Sequence, residues 1–333
     1  MKLHRILLAA IMAASLVSCG RMDPQAIPDP VSESIPKIIV ISVGSGPDTK
    51  VNVNVVDNGS GKEGVVTFTE NDRLFLSEKI DPYTGEAVDN YYWSYKVVVS
   101  EDGKSADFSF AINVDSKYND ETVESITYLA AYGDWSKQGG GLYVNIPTSI
   151  DLSKETGSVL PQDGVIAVSD PIICKPSRID EALGGNIKLH HMVSYGVLNV
   201  QSSQLVGKTI TGITVEGYNS SSIAGEAQLV SSTHADSSSG QFQLSFNSSS
   251  ASKICIMPSA EIIADISGNL GTNIWFPTLP NIISSESLQI SLTDAEGRTY
   301  SGSLSTRTSP DMPVVEPPQG GAAKFNVTNL TEE

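Results

Sequence analysis

The sequence is short of the side chains that most often do chemistry. Only three of its 333 residues are cysteines and four are histidines. His4 lies in an apolar N-terminal stretch and His234 in a Ser-rich loop. His190 and His191 are adjacent in an expected strand, so their side chains point to opposite faces and do not make a metal pair. Cys174 (in PIICK) and Cys255 (in KICIMP) sit in apolar runs, where a free thiol usually behaves as a small core hydrophobe. A disulfide between them is permitted outside the cytosol but is not demanded. No zinc spacing results. The acid-rich run 115–120 lacks the order, the Gly and the Glu of an EF-hand, and reads as a solvated loop. Gly139-Gly140-Gly141 precedes a strand and is no phosphate cradle, and there is no Gly-x-Ser-x-Gly, Walker or dinucleotide motif. The expectation is no catalytic residue, no metal, no cofactor and no enzyme.

Positive charge is also scarce. Twenty-one Lys and Arg face 38 Asp and Glu, for a net charge of −17. That sign repels nucleic acid and anionic lipid headgroups, which argues against both as partners. Beyond the first twenty residues no stretch approaches the eighteen apolar residues of a membrane-crossing helix.

The N-terminus is where apolar residues concentrate. MKLHRILLAAIMAASLVSCG places Lys2 and Arg5 before about a dozen apolar residues that end in small ones, the layout of a secretory signal peptide. Leu16-Val17-Ser18-Cys19 resembles the lipobox of bacterial lipoproteins. That resemblance implies cleavage of residues 1–18 and acylation of Cys19. Each buried CH₂ of an acyl chain contributes roughly 0.8 kcal/mol, so more than one chain makes a lasting anchor. Residues 19–36, with four prolines and little that packs, read as an extended linker.

From Lys37 the punctuation is all-β. Short runs rich in Val, Ile, Thr, Tyr and Phe alternate with Gly, Asn, Asp and Ser clusters. They include 37–43, 50–56, 91–100, 107–114, 124–132 and 141–147. After the middle of the chain come 186–201, 208–218, 226–230, 240–246, 253–258, 272–280, 286–305 and 322–330. KVNVNVV (50–56) alternates strictly, as a half-buried strand does. Glu101-Asp102-Gly103 and the segment from Asp294 to Gly297 read as hairpin turns. The segment 177–185 is the best helical candidate and marks a domain boundary near residue 185. Trp93 and Tyr95 lie in the densest aromatic run and share one face of the expected strand 91–100. They serve either as core or as a sugar-stacking platform. Trp135 beside Tyr132, and Trp275 beside Phe276, carry the same two readings.

Motifs that are weak singly occur in a telling order. They are Tyr128-Leu129-Ala130-Ala131-Tyr132, then Ile146-Pro147, Leu160-Pro161-Gln162 and the run from Ile166 to Ser169. The run from Lys188 to Tyr195 follows, then the stretch from Trp275 to Pro280, the segment from Asp294 to Tyr300 and the segment from Gly321 to Leu330. Together, behind a lipobox, they resemble the fimbrillin-like proteins of Bacteroidales across roughly residues 37–330. The resemblance implies two transthyretin-like β-sandwich domains in tandem, 37–185 and 186–333. It implies an outer-membrane lipoprotein at the cell surface or in a fimbrium, serving as stalk, tip or anchor and supporting adhesion. Its partners would be other fimbrial subunits, joined by strand exchange, with the host surface or a glycan as a further contact. In the pilus-forming members a protease removes the first strand, here Lys37 to Val43, and a neighbour's strand fills the groove. The strand to be donated would be 322–330, with Ala322, Lys324, Phe325, Val327 and Leu330. The best-known members are cut after an Arg. Here no Arg lies between Arg21 and Arg73, and the basic sites nearest the expected first strand are Lys37 and Lys50. The competing reading is a stand-alone glycan-binding surface lipoprotein that uses Trp93 and Tyr95.

Overall fold

The computed structural model describes residues 36–44, 52–55, 62–65, 68–80, 89–113, 123, 125–138, 141–151, 164–231, 242–258, 262–283, 288–304 and 321–333. They form an all-β sandwich fold. In the first half run β1 (Lys37–Gly44), β2 (Asn52–Val55), β3 (Lys62–Val65), β4 (Leu74–Ile80), β5 (Asp89–Trp93), β6 (Lys96–Val99) and β7 (Ser105–Ile112). They are followed by β8 (Ile126–Tyr132), β9 (Trp135–Gln138), β10 (Gly141–Ile146), β11 (Ser149–Asp151), β12 (Ala167–Ser169), β13 (Ile172–Cys174) and a short helix α1 (Ile179–Leu183). The second half holds β14 (Leu189–His191), β15 (Ser194–Val200), β16 (Thr209–Gly217), β17 (Ala224–Ser231), β18 (Phe242–Ala251), β19 (Lys253–Met257), β20 (Ile262–Ile263) and β21 (Ile274–Thr278). One helical turn, α2 (Pro280–Ile283), precedes β22 (Leu288–Asp294), β23 (Thr299–Leu304), β24 (Gly321–Val327) and β25 (Thr331–Glu332).

Among the described residues these strands form five sheets, in the orders β1-β7-β6, β14-β12-β8-β4-β5, β18-β17-β10-β9, β11-β19-β16-β22-β23-β25 and β21-β15-β24-β2-β3. Four of the five take strands from both sides of residue 185. In the first half the core is built by alternation. Ala106, Phe108, Phe110 and Ile112 of β7 point inward and are essentially inaccessible. Phe68 meets Phe108 and Tyr132 edge-on, at ring separations of 5.9 and 5.6 Å, and so ties the sheet of β7 to the sheet of β8. The β6–β7 hairpin turns where the sequence predicts, with Gly103 at φ 69° and its amide donating to the Ser100 carbonyl.

Alternation along LFLSEKI places Glu78 on the side of Leu74 and Leu76, and Glu78 is buried with them. A buried carboxylate needs donors. It receives the Tyr128 hydroxyl at 2.9 Å, the Tyr92 hydroxyl at 3.3 Å and the Asn90 side-chain amide at 3.0 Å. These come from the two strands flanking β4, so the network pins the register of three neighbours. Burial, and then the Glu78 charge, push the Tyr128 phenol well above its ordinary range. In the second half Gly196 of β15 lies opposite Phe276 of β21. The Phe276 ring folds over the glycine, so close that a Cβ there would sit 2.1 Å from the ring. It also stacks on Phe325 of β24, at 6.1 Å and 26°.

The β22–β23 hairpin is locked by Asp294. Its carboxylate accepts the amides of Glu296 (3.0 Å) and Arg298 (2.9 Å), the Arg298 guanidinium (3.1 Å) and the Tyr300 hydroxyl (2.9 Å). Burial alone would raise its pKa. The bonds from Arg298, Tyr300 and Glu296 outweigh that and hold it at about 2, against an ordinary 3.8. The depressed value means the folded state binds the ionised form better. This contribution is therefore complete above the ordinary carboxylate pKa and is lost as pH falls through about 2.

Two outcomes follow. Gly196→Ala forces a methyl into the Phe276 ring, and denaturant unfolding is expected to show a loss of about 1–3 kcal/mol; an unchanged midpoint would contradict the ring's placement. Thermal unfolding of the parent protein is expected to weaken between about pH 4 and pH 2. Asp294→Asn should be less stable at neutral pH and should show a shallower decline over that window.

Candidate functional site

Among the described residues the strand nearest the N-terminus, β1, presents a different side-chain pattern on each face. Ile39, Ile41 and Val43 of β1 are 3% exposed or less, whereas Ile38 and Val40 on its other face are 55% and 43% exposed. The inward trio pairs in register with Phe110, Phe108 and Ala106 of β7, in an antiparallel ladder from Lys37 opposite Ile112 to Gly44 opposite Ser105. β1 lies at the edge of its three-stranded sheet, so β7 is its one full-length neighbour among the described residues.

The outer margin of β1 is fastened at two points. The Ser42 amide donates to the Gly185 carbonyl at 3.3 Å, and the Ile187 amide donates back to the Ser42 carbonyl at 2.9 Å. Lys37 Nζ reaches Asp180 of α1 at 2.6 Å. The predicted helix at 177–185 is thus realised as α1 and the turn after it, and this segment clasps β1. Nothing local in the sequence signals that long-range contact.

The other strand of interest is placed differently. β24 lies inside its sheet, parallel to β15 on one side and to β2 on the other. Ala322, Phe325 and Val327 are buried, as is Leu330 just beyond; Lys324 is half-buried. The strand proposed for donation therefore occupies its own chain's sheet here. Cys19 and Lys50 lie outside the described residues, as do the acidic run at 115–120, His234 and the Gly139-Gly140 pair.

The expected strand 91–100 is corrected. It breaks at Ser94 into β5 and β6, which belong to different sheets. Buried Ser94 is the corner: its amide donates to the Leu74 carbonyl at 3.0 Å, and its hydroxyl accepts the Leu74 amide at 2.9 Å. Trp93 and Tyr95 therefore do not share a strand face. Trp93 is half-buried, edge-on to Phe75 at 5.1 Å, and Tyr95 is 60% exposed. Trp93 lines a cleft of about 860 Å³ with Thr69, residues 71–73 and 132–134, Asn145 and residues 147–149. Tyr95 lines a smaller hollow of about 370 Å³ against residues 70–73. Trp135 and Trp275 are core.

Cys255 is exposed, contrary to its expected core position, because alternation in β19 sends Ile254 and Ile256 inward and the thiol outward. Cys174 is half-buried, and burial followed by the nearby Glu78 charge raises its thiol. Both cysteines are free. The two histidines diverge as predicted: His190 Nε2 meets Asp170 at 3.1 Å, and buried His191 Nδ1 meets the Tyr195 hydroxyl at 3.3 Å.

No protein-family model matches the sequence, and no curated protein matches it. Solved structures resemble the fold. An inferred cell adhesion protein from Bacteroides ovatus is 13% identical with a TM-score of 0.43, over 90% of this chain and 96% of that one. One from Bacteroides fragilis is 10% identical with a TM-score of 0.42, over 89% and 97%. The C-terminally truncated tip fimbrial protein Mfa3 from Porphyromonas gingivalis is 8% identical with a TM-score of 0.32, over 89% and 99%.

Proposed function

We propose that the chain is a non-enzymatic structural subunit of a surface pilus, tethered to the outer membrane through a lipid on Cys19 and joined to its neighbours by exchange of strands. One observation carries the reading: among the described residues β1 comes first, lies at a sheet edge, buries Ile39, Ile41 and Val43, and has one full-length partner. Burying each of Ile39, Ile41 and Val43 is worth about 1.5–3 kcal/mol. A molecule that loses β1 is left with an open apolar groove beside β7, too costly to stay vacant in water. An extended strand from another subunit restores the burial and supplies main-chain hydrogen bonds to the exposed edge.

Of the two basic sites, one suits this reading better. Lys37 is the first residue of β1, paired opposite Ile112 and bridged to Asp180. A cut after it leaves Ile38 to Gly44 in place. A cut after Lys50 detaches the whole strand, so Lys50 is the maturation site in this reading. β24 is the strand to be donated, and donation requires it to leave its place beside β15.

Material sheared from the native cell surface tests this by intact mass and gel mobility. The expected result is a chain beginning at Val51 that runs as a heat-labile ladder, with Lys50→Ala retained at precursor length. A single species still lipidated at Cys19, with no ladder, would overturn the polymerising subunit.

A further inference from the structure

The corner at Ser94 sends two aromatic side chains to either side of one turn. Trp93 lines the larger hollow and Tyr95 the smaller, and residues 71–73 form a wall of both. We propose that the two hollows are one binding groove for a neutral oligosaccharide, crossing the turn 69–73 with an aromatic ring at each end.

The chemistry of the walls suits a sugar. A pyranose presents an apolar face of C–H groups and a rim of hydroxyls that both donate and accept. Tyr95, 60% exposed, is a ring that fills no core, and Trp93 keeps part of its surface outside the packing against Phe75. Each offers an amphipathic ring of the kind that works at a wet surface. Asn71, Arg73, Asp134 and Asn145 are exposed along the groove, giving planar donors and acceptors for vicinal hydroxyls. Binding sites of this kind combine aromatic surface with a few convergent polar groups.

The groove is also held in shape before anything binds. The Thr69 amide donates to the Asp72 carboxylate at 2.7 Å, the Asp72 amide returns to the Thr69 carbonyl at 3.1 Å, and Ser94 clamps Leu74 from both sides. The Asn145 amide donates to the Asp134 carbonyl at 3.3 Å, fixing the opposite wall. Little ordering is left for the ligand to impose. Charge selects among sugars. Arg73 and Lys96 are mixed with Glu70, Asp72 and Asp134, and the whole chain carries −17. A sialylated or phosphorylated glycan would meet net repulsion. This site does not depend on the pilus reading; it serves a polymerised subunit and a solitary lipoprotein alike.

The test is an array of neutral and sialylated oligosaccharides probed with the detergent-solubilised full-length lipoprotein, followed by calorimetric titration with the best neutral oligosaccharide. Tyr95→Ala and Asp134→Ala replace exposed side chains, so each is expected to unfold at the parental temperature while weakening binding roughly tenfold, about 1.4 kcal/mol. Trp93→Ala should weaken it at least as much. No neutral oligosaccharide retained above the level of the double variant Tyr95→Ala/Asp134→Ala would overturn the proposal. So would parental affinity in both single variants, or retention of sialylated oligosaccharides alone.

Discussion

The ladder between β1 and β7 is the contact on which the rest depends, because among the described residues β7 is the one strand that pairs with β1 along its length. An interior strand divides its hydrogen bonds between two neighbours; an edge strand makes its ladder with one, leaves its outward N–H and C=O groups without a ladder partner, and depends on side-chain burial for the rest. Here that remainder is Ile39, Ile41 and Val43, sealed against Phe108 and Phe110. The same three side chains make β1 firmly seated while it is attached and make its absence expensive once it is gone. The clasp of α1 and the turn at residues 185–187 adds two main-chain bonds and one ion pair along the outer margin. The ion pair is partly exposed and so worth little, about 0–1 kcal/mol.

β24 sits at the opposite extreme. It is flanked on both sides, its Phe325 stacks on Phe276, and Phe276 in turn lies across Gly196 of β15. Sheets that mix strands from the two halves of the chain spread this order widely. β10 pairs with β17, β11 with β19 and β12 with β14, so the region around residue 185 is crossed by ladders as well as by the backbone. Among the described residues β1 belongs, with β6 and β7, to the one sheet made wholly of first-half strands.

The strand content was legible because period-two patterns and turn residues are local properties. The hairpin at Asp294 could be read from the segment between Asp294 and Tyr300, and its carboxylate does cap the turn. What the sequence hides is partnership. The stretch from Lys37 to Val43 is apolar at nearly every position, which reads equally as an interior strand, and its edge position follows from pairings with residues some seventy positions away. The aromatic run 91–100 reads as one strand because nothing apolar or polar in it marks Ser94 as a corner; the mark is a pair of bonds to Leu74. Of the candidate site residues, Lys37 lies in β1, Trp93 and Tyr95 fall in neighbouring hollows, and Asp134 and Asn145 join them only through the fold. Glu78 could have been found, since alternation through Leu74 and Leu76 places it inward, and a buried acid among aromatics is a request for hydroxyl donors.

Native-state hydrogen exchange, followed by mass spectrometry on the full-length protein, bears most directly on whether β1 is a separable strand. The account predicts that the β1 amides exchange through an opening cheaper than global unfolding, while β15 and β24 remain protected. Exchange of β1 only together with β15 and β24, at the free energy of global unfolding, would contradict it.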